Sequence, residues 1–152
     1  MSFYEFLLWI HITSIVVWVG GGLTLHIFAL RARQSNDPAA ITFAFVNAGW
    51  IGQRFFTAAS GIALVSGLLL VDETGYSLGD GWISFGFVVL LASAFVGMFY
   101  LGPQAERLGG MIGERGADSP EFLSGYTRLL LINRIELGLL FLVIAAMAIK
   151  PG

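Results

Sequence analysis

The sequence has no cysteine and few charged side chains. Asp, Glu, Lys and Arg together make up 12% of its 152 residues, whereas globular domains average about 25%. The absence of cysteine excludes disulfides, thiolate metal sites and thiol redox chemistry. The shortage of charge, together with a hydrophobic share of 57%, excludes an ordinary water-soluble domain.

Three stretches carry no charged residue at all. They cover residues 6–30, 55–71 and 81–105, which are 25, 17 and 25 residues long, and a helix needs about 20 apolar residues to cross a bilayer. A fourth apolar segment lies between Arg128 and Lys150. The sequence therefore predicts an all-α integral membrane four-helix bundle in a single transmembrane domain, residues 1–152. Its predicted helices cover about residues 2–33, 38–71, 81–108 and 119–149.

Local signals place the ends of these helices. The first apolar stretch is expected to stay in the mature protein, because no Lys or Arg precedes it and no small-residue cleavage site follows it. Asp37-Pro38 and Ser119-Pro120 are typical of an N-cap followed by a first-turn proline. The Gly-rich segment 109–118 is predicted to be the one long connection.

Basic residues predict the orientation in the membrane. Seven of the eight Lys and Arg residues fall in or near the first and third links, and only Lys150 lies at the other side. By the positive-inside rule, we expect both termini and the loop 72–80 outside (N-out and C-out) in a multi-pass protein of the bacterial cytoplasmic (inner) membrane. The lipid bilayer is the expected partner, and no nucleic-acid partner is expected. The sequence leaves open whether the chain forms a homo-oligomer.

Small residues recur at four-residue spacing within two of the helices. They are Ala59, Ala63 and Gly67 in the second and Ser93 and Gly97 in the third. Such rows let helix backbones approach closely in lipid, where packing replaces the hydrophobic effect. We interpret them as bundle contacts.

Five polar side chains interrupt the apolar spans, at positions where they are costly in lipid and usually face the bundle interior. They are His11, His26, Asn133, Arg134 and Glu136. The two histidines lie about 22 Å apart along one helix and about 60° apart around it, so they cannot bind one metal ion together. His11 is either a cofactor ligand or a partner in a helix–helix hydrogen bond. His26 either has a functional role of its own or is a hydrogen-bonded histidine at the membrane interface.

Helix 4 carries the remaining polar group. Arg134 and Glu136 lie about 200° apart on the helix and face different ways, whereas Asn133 and Glu136 share a face. One interpretation is an interhelical clasp with Gln53 or Arg54. The other is a cytoplasm-facing polar pocket for an anionic ligand or for proton transfer, formed with His26.

Several short motifs are spread over nearly the whole chain: His11-Ile-Thr-Ser-Ile-Val-Val-Trp18-Val-Gly-Gly21, Arg54, Gly67-Leu-Leu-Leu, Gly81-Trp82, Tyr126-Thr-Arg128, Asn133 and Ile149-Lys150-Pro151. Together they resemble the bacterial membrane protoporphyrinogen IX oxidase family, a four-helix haem-binding family. The resemblance implies a haem b whose iron is ligated by His11. If haem is bound, we expect Trp18 or Phe side chains to line the ring. The start of the chain is also similar to copper-resistance D-type membrane domains, and the whole to uncharacterised four-helix membrane proteins.

Two positions depart from the oxidase pattern. Gly86 stands where the family has a lysine, and Asn133-Arg134-Ile135-Glu136 replaces an adjacent Asn-Glu pair. Oxidase activity is therefore left open.

The first hypothesis for the function is a haem or porphyrin protein, and whether it is redox-active is left open. The alternative is a non-catalytic membrane module, a carrier or assembly partner with a polar pocket, and the third is copper handling. No P-loop, Ser-His-Asp set or acidic metal cluster is visible.

Overall fold

Four long helices form the whole of the described fold. In the computed structural model, which describes residues 1–151, they are α1 (Phe3–Ser35), α2 (Pro38–Thr74), α3 (Gly81–Arg115) and α4 (Pro120–Ile149). Each is long and apolar enough to cross a membrane, and residues 1–151 contain no strand. The predicted all-α membrane bundle of four helices is confirmed.

The predicted caps begin two of the helices. The Asp37 side chain accepts a hydrogen bond from the backbone N–H of Ala39 at 2.9 Å, and Pro38 occupies the first turn of α2. At α4, the Ser119 hydroxyl accepts from the N–H of Phe122 at 3.3 Å. These short-range contacts satisfy N–H groups that have no partner within the helix, so the sequence alone placed both starts.

The end of α3 differs from the prediction. The helix continues to Arg115 and does not end near residue 108, so most of the expected connection 109–118 is helical. Leu108 and Ile112 are buried on this last part, against Ile41 and Phe45 of α2. Packing of one face on α2 holds the Gly-rich turns helical despite their low intrinsic propensity.

Buried side chains form two clusters. The upper cluster, nearer the chain termini, contains Trp18, Val19, Ala59, Ala63, Val89, Leu90, Leu137, Leu140 and Val143. The lower cluster, nearer the α1–α2 and α3–α4 links, contains Ala29, Ile41, Phe45, Ala105, Leu108, Ile112, Phe122, Leu129 and Leu130. All four helices contribute to each cluster, so the bundle has a packed core at both levels.

Helices α2 and α3 approach each other very closely. A Cβ added to Gly49 would lie 2.9 Å from the backbone carbonyl oxygen of Gly102, and one added to Gly109 would lie 3.1 Å from the backbone nitrogen of Val46. The predicted small-residue row also packs, since Ala59 and Ala63 belong to the upper cluster. The glycines of the lower half, however, make this close backbone contact.

Three of the helices contain a single π-helical turn. These turns are Val16–Gly20 in α1, Gly52–Phe56 in α2 and Gly97–Leu101 in α3, and glycine lies in each. A π turn inserts one extra residue into the helix and often occurs at functional sites. No such turn interrupts α4. All three π turns contribute residues to the lining of the same interior space.

Candidate functional site

A cavity of about 100 Å³ lies at the level of the π turns. Residues of both the upper and the lower cluster line this cavity. It has room for several water molecules. Its walls come from all four helices and are mostly apolar. The polar residues in its lining are His26, Thr57, Ser60, Ser93, Asn133 and Glu136.

Glu136 is the one acidic residue that lines this cavity. Its exposed fraction is 9%, and within residues 1–151 no hydrogen bond or ion pair from the protein reaches its carboxyl group. No polar side-chain atom of these residues is both fully enclosed and unpartnered, so the carboxyl oxygens open onto the cavity. The lining contains no Lys or Arg. An isolated buried carboxylate is costly, and this cost needs a functional explanation.

Hydroxyl groups from α2 and α3 surround the same space. The Ser60 hydroxyl donates to the Thr57 carbonyl at 3.0 Å. Ser93 is 4% exposed, and neither its hydroxyl nor that of Thr57 bonds to protein atoms in the described chain. Gly97 lies opposite the acid, since a Cβ there would be 4.0 Å from Glu136 Oε1. Two hydroxyls therefore remain available to a ligand beside the carboxyl group.

His26, Asn133 and Arg134 form a hydrogen-bonded chain between α1 and α4. His26 Nδ1 lies 2.7 Å from Asn133 Oδ1, and Arg134 Nε donates to His26 Nε2 at 3.3 Å. Since the amide oxygen and Nε2 are both acceptors here, the imidazole is neutral with its proton on Nδ1. His26 and Asn133 line the cavity, whereas Arg134 does not.

The hydrogen bond from Arg134 to His26 differs from the expected clasp of Arg134 on α2. The clasp with Gln53 or Arg54 does not form in the described residues, because Arg134 bonds to His26 across the α1–α4 contact. The Arg54 guanidinium instead lies 5.0 Å from the centroid of the Trp50 ring. Arg134 is exposed on the surface of α4, so the predicted pocket keeps His26, Asn133 and Glu136 at the cavity and Arg134 outside it.

His11 joins α1 to α2 in the upper half of the bundle. Its Nδ1 lies 2.9 Å from the Ala63 carbonyl oxygen and 3.1 Å from Ser66 Oγ, so Nδ1–H donates to the backbone of α2. Its Nε2 has no partner within residues 1–151. A histidine that ligates a metal usually donates its other N–H in this way. The arrangement therefore serves a helix–helix hydrogen bond and leaves one nitrogen free.

The central cavity is too small for a porphyrin and does not reach His11. The central cavity, at about 100 Å³, is lined by Trp18 but not by His11, and pockets for small organic ligands occupy about 300–1,000 Å³. At Gly86, the position of the family lysine, Met147 fills the space, with its Sδ 3.9 Å from where a Cβ would lie. His11 Nε2 is free to ligate a haem iron, but the central cavity does not hold the macrocycle beside it.

A cluster of His, Cys, Asp and Glu side chains that could bind a transition metal is also not found in the described residues. In the described part of the chain, no group of three or more His, Cys, Asp or Glu side chains could hold a metal ion together. His11 and His26 contact different helices, α2 and α4. Copper handling therefore gains no support from the arrangement of these side chains.

Sequence reasoning missed part of the site. The sequence does not single out Thr57, Ser60 and Ser93 as pocket residues, because hydroxyl side chains are common in membrane helices and usually bond to their own backbone. The glycines at the three π turns are the one sequence feature that could have indicated the cavity, but glycine in a membrane helix more often indicates close helix packing.

Comparison with known proteins identifies a family. No curated protein and no solved structure matched the chain. Residues 5–151 match a family described as predicted integral membrane protein (DUF2269). The match spans all four helices, and the chain therefore belongs to this family of predicted integral membrane proteins.

Proposed function

We propose that the protein is a non-catalytic membrane module that binds a small polar ligand in the cavity beside Glu136. The observation that carries this proposal is the carboxyl group itself, which is nine-tenths buried, without a protein partner in residues 1–151 and open to the cavity. Ionisable residues inside a membrane bundle are costly and usually mark ligand or ion pathways.

The α1–α4 contact supports a route to this site. His26 and Asn133 line the cavity, and Arg134 reaches His26 from the exposed surface of α4. Breaking the His26–Asn133 hydrogen bond would remove one of the polar contacts between α1 and α4 next to the cavity. A carrier or a ligand-dependent assembly partner needs such an access point, and a purely structural bundle does not.

Carbodiimide labelling tests whether the carboxyl group is reachable. The hydrophobic reagent dicyclohexylcarbodiimide adds to a protonated carboxyl group, whose oxygen bonds to the central carbon while its proton moves to nitrogen. We expect labelling of Glu136 in the full chain in lipid nanodiscs without sodium or potassium salts, located by peptide mass spectrometry. Glu136→Gln should lose this label, and Glu73→Gln, which changes an exposed acid, should keep it. Absence of the label on Glu136 in the wild-type chain would overturn the proposal.

We also propose that the protein lies in the bacterial cytoplasmic membrane with both termini outside. The distribution of basic residues supports this placement, because seven of eight lie at or near the links between α1 and α2 and between α3 and α4. In that orientation, Arg134 lies on the cytoplasmic half of α4, and the polar chain would give access from the cytoplasm.

A haem b or another porphyrin at His11 is the second candidate, in line with the resemblance to protoporphyrinogen IX oxidases. It is favoured by one observation, the Nδ1–H donated to Ala63 with Nε2 free. Because the interior cavity is too small, this candidate needs a binding face outside it. A visible spectrum of the purified protein tests it: a Soret band that His11→Ala abolishes would support haem, and haem content unchanged by this substitution would eliminate His11 as the ligand.

A further inference from the structure

We infer that the cavity is a monovalent-cation site in which Na⁺ is held by the Glu136 carboxylate and the hydroxyl oxygens of Thr57 and Ser93. This inference rests on the proposed function, because it names the ligand of the same cavity. All three side chains line one space of about 100 Å³, and within residues 1–151 no protein group occupies their hydrogen-bonding capacity.

Charge favours a cation over an anion. The lining contains one acid, Glu136, and neither Lys nor Arg. The other titratable residue of the lining, His26, is neutral and directs its N–H to Asn133. Arg134 is outside the lining and is held by His26 Nε2. No positive group therefore faces the cavity, and an anion would add a second negative charge to a site that already holds one.

The single carboxylate favours a monovalent ion over a divalent one. One positive charge cancels the charge of Glu136, whereas Ca²⁺ or Mg²⁺ would leave a net positive charge in a low-dielectric interior. Hard cations also prefer oxygen ligands, and the free groups here are a carboxylate and two hydroxyls. The remaining volume has room for water molecules that complete the coordination shell.

The π turns strengthen the case for a cation site. Gly52–Phe56 and Gly97–Leu101 both contribute to the cavity wall, and a π turn shifts its backbone carbonyls out of the regular i→i−4 pattern. Irregular backbone inside a membrane is tolerated where it lines a cavity. In membrane transporters, interrupted helices place carbonyl oxygens around bound Na⁺ or H⁺ near the middle of the bilayer.

Protection from carbodiimide separates this inference from the proposed function. The full chain in nanodiscs would be labelled in choline chloride, NaCl, KCl or CaCl₂ at equal ionic strength. We expect Na⁺ to slow labelling of Glu136 by about tenfold or more, while choline and Ca²⁺ leave the rate unchanged. Protection by K⁺ as well as Na⁺ would also support a monovalent site.

Other outcomes overturn the inference. Labelling that neither Na⁺ nor K⁺ slows would mean that Glu136 is reachable but binds no such ion, so the proposed function would stand and the inference would fall. Stronger protection by Ca²⁺ than by Na⁺ would overturn the monovalent assignment. If Glu136 is not labelled even in choline, both proposals are wrong.

A second variant tests the hydroxyl ligand. Ser93→Ala removes one oxygen from the cavity and should raise the Na⁺ concentration for half-protection by about tenfold, with protection measured relative to the variant's own labelling rate in choline. Ser124→Ala is the matched control, since Ser124 is exposed and bonds to its own helix at the Glu121 carbonyl. Equal protection by Na⁺ in the two variants would show that the Ser93 hydroxyl is not a ligand of the ion.

Discussion

His26 Nδ1 lies 2.7 Å from Asn133 Oδ1, a contact between residues 107 positions apart in the chain. It connects α1 to α4 beside the central cavity, and Arg134 fixes the tautomer from the other side of the imidazole. A hydrogen-bonded polar chain thus lies between the exposed face of α4 and the cavity that contains Glu136.

The His26–Asn133 hydrogen bond should contribute measurable but modest stability. In a double-mutant cycle with His26→Ala and Asn133→Ala, we expect a coupling free energy of about 0.6 kcal/mol and at most about 1.7 kcal/mol, the range found for interhelical hydrogen bonds in membranes. The measurement is unfolding by titration of dodecyl sulfate into mild-detergent micelles. A cycle that pairs His26→Ala with Asn47→Ala is the control, because Asn47 bonds only within α2, to the Phe43 carbonyl. Coupling as large in this control cycle would contradict a specific α1–α4 bond.

Gly49→Ala should destabilise the bundle. Its Cβ would lie 2.9 Å from the Gly102 carbonyl oxygen, and because backbone cannot move away cheaply, we expect a loss of about 1–3 kcal/mol in the free energy of unfolding. Gly61→Ala on the same helix meets no atom within 4 Å and should stabilise by up to about 1 kcal/mol through helix propensity. Thermal unfolding in detergent measures both. Equal effects of the two substitutions would show that α2 and α3 do not approach closely at Gly49.

Glu136→Met should make the protein more stable in sodium-free and potassium-free buffer. The substitution removes a buried polar group without a protein partner and keeps a similar volume, so we expect a gain of about 1–3 kcal/mol. The same variant should lose carbodiimide labelling. Dodecyl sulfate titration measures the stability. A clear loss of stability would indicate instead that Glu136 holds the bundle together.

The orientation can be tested directly because the chain has no natural cysteine. A single cysteine replacing Leu78, in the exposed α2–α3 loop, should react with a membrane-impermeant maleimide added outside intact cells. A single cysteine replacing Gly113, on an exposed face of α3, should react only after the membrane is permeabilised. The physical reason is the concentration of arginine at the links on the Gly113 side. The reverse labelling pattern would place the termini in the cytoplasm.

Sequence alone determined the helices and the candidates for the site. Residues 6–30 and 81–105 are too apolar for anything but membrane helices, and Asp37 and Ser119 cap their helices through contacts within three residues. Such features depend on neighbours in the chain, so they can be predicted without knowledge of the fold. The cost of polar groups in lipid also predicts a polar region that includes His26, Asn133 and Glu136, and these three residues line the central cavity.

Tertiary structure decided which of these side chains meet. Helical periodicity gives the face that a residue occupies on its own helix, but it does not give the rotation of one helix relative to another. Here the rotation of α1 relative to α4 depends on long-range contacts such as that of Gly22 with Leu137. Packing therefore brings His26 to Asn133, leaves Arg134 exposed, separates His11 from the cavity and directs Glu136 into it.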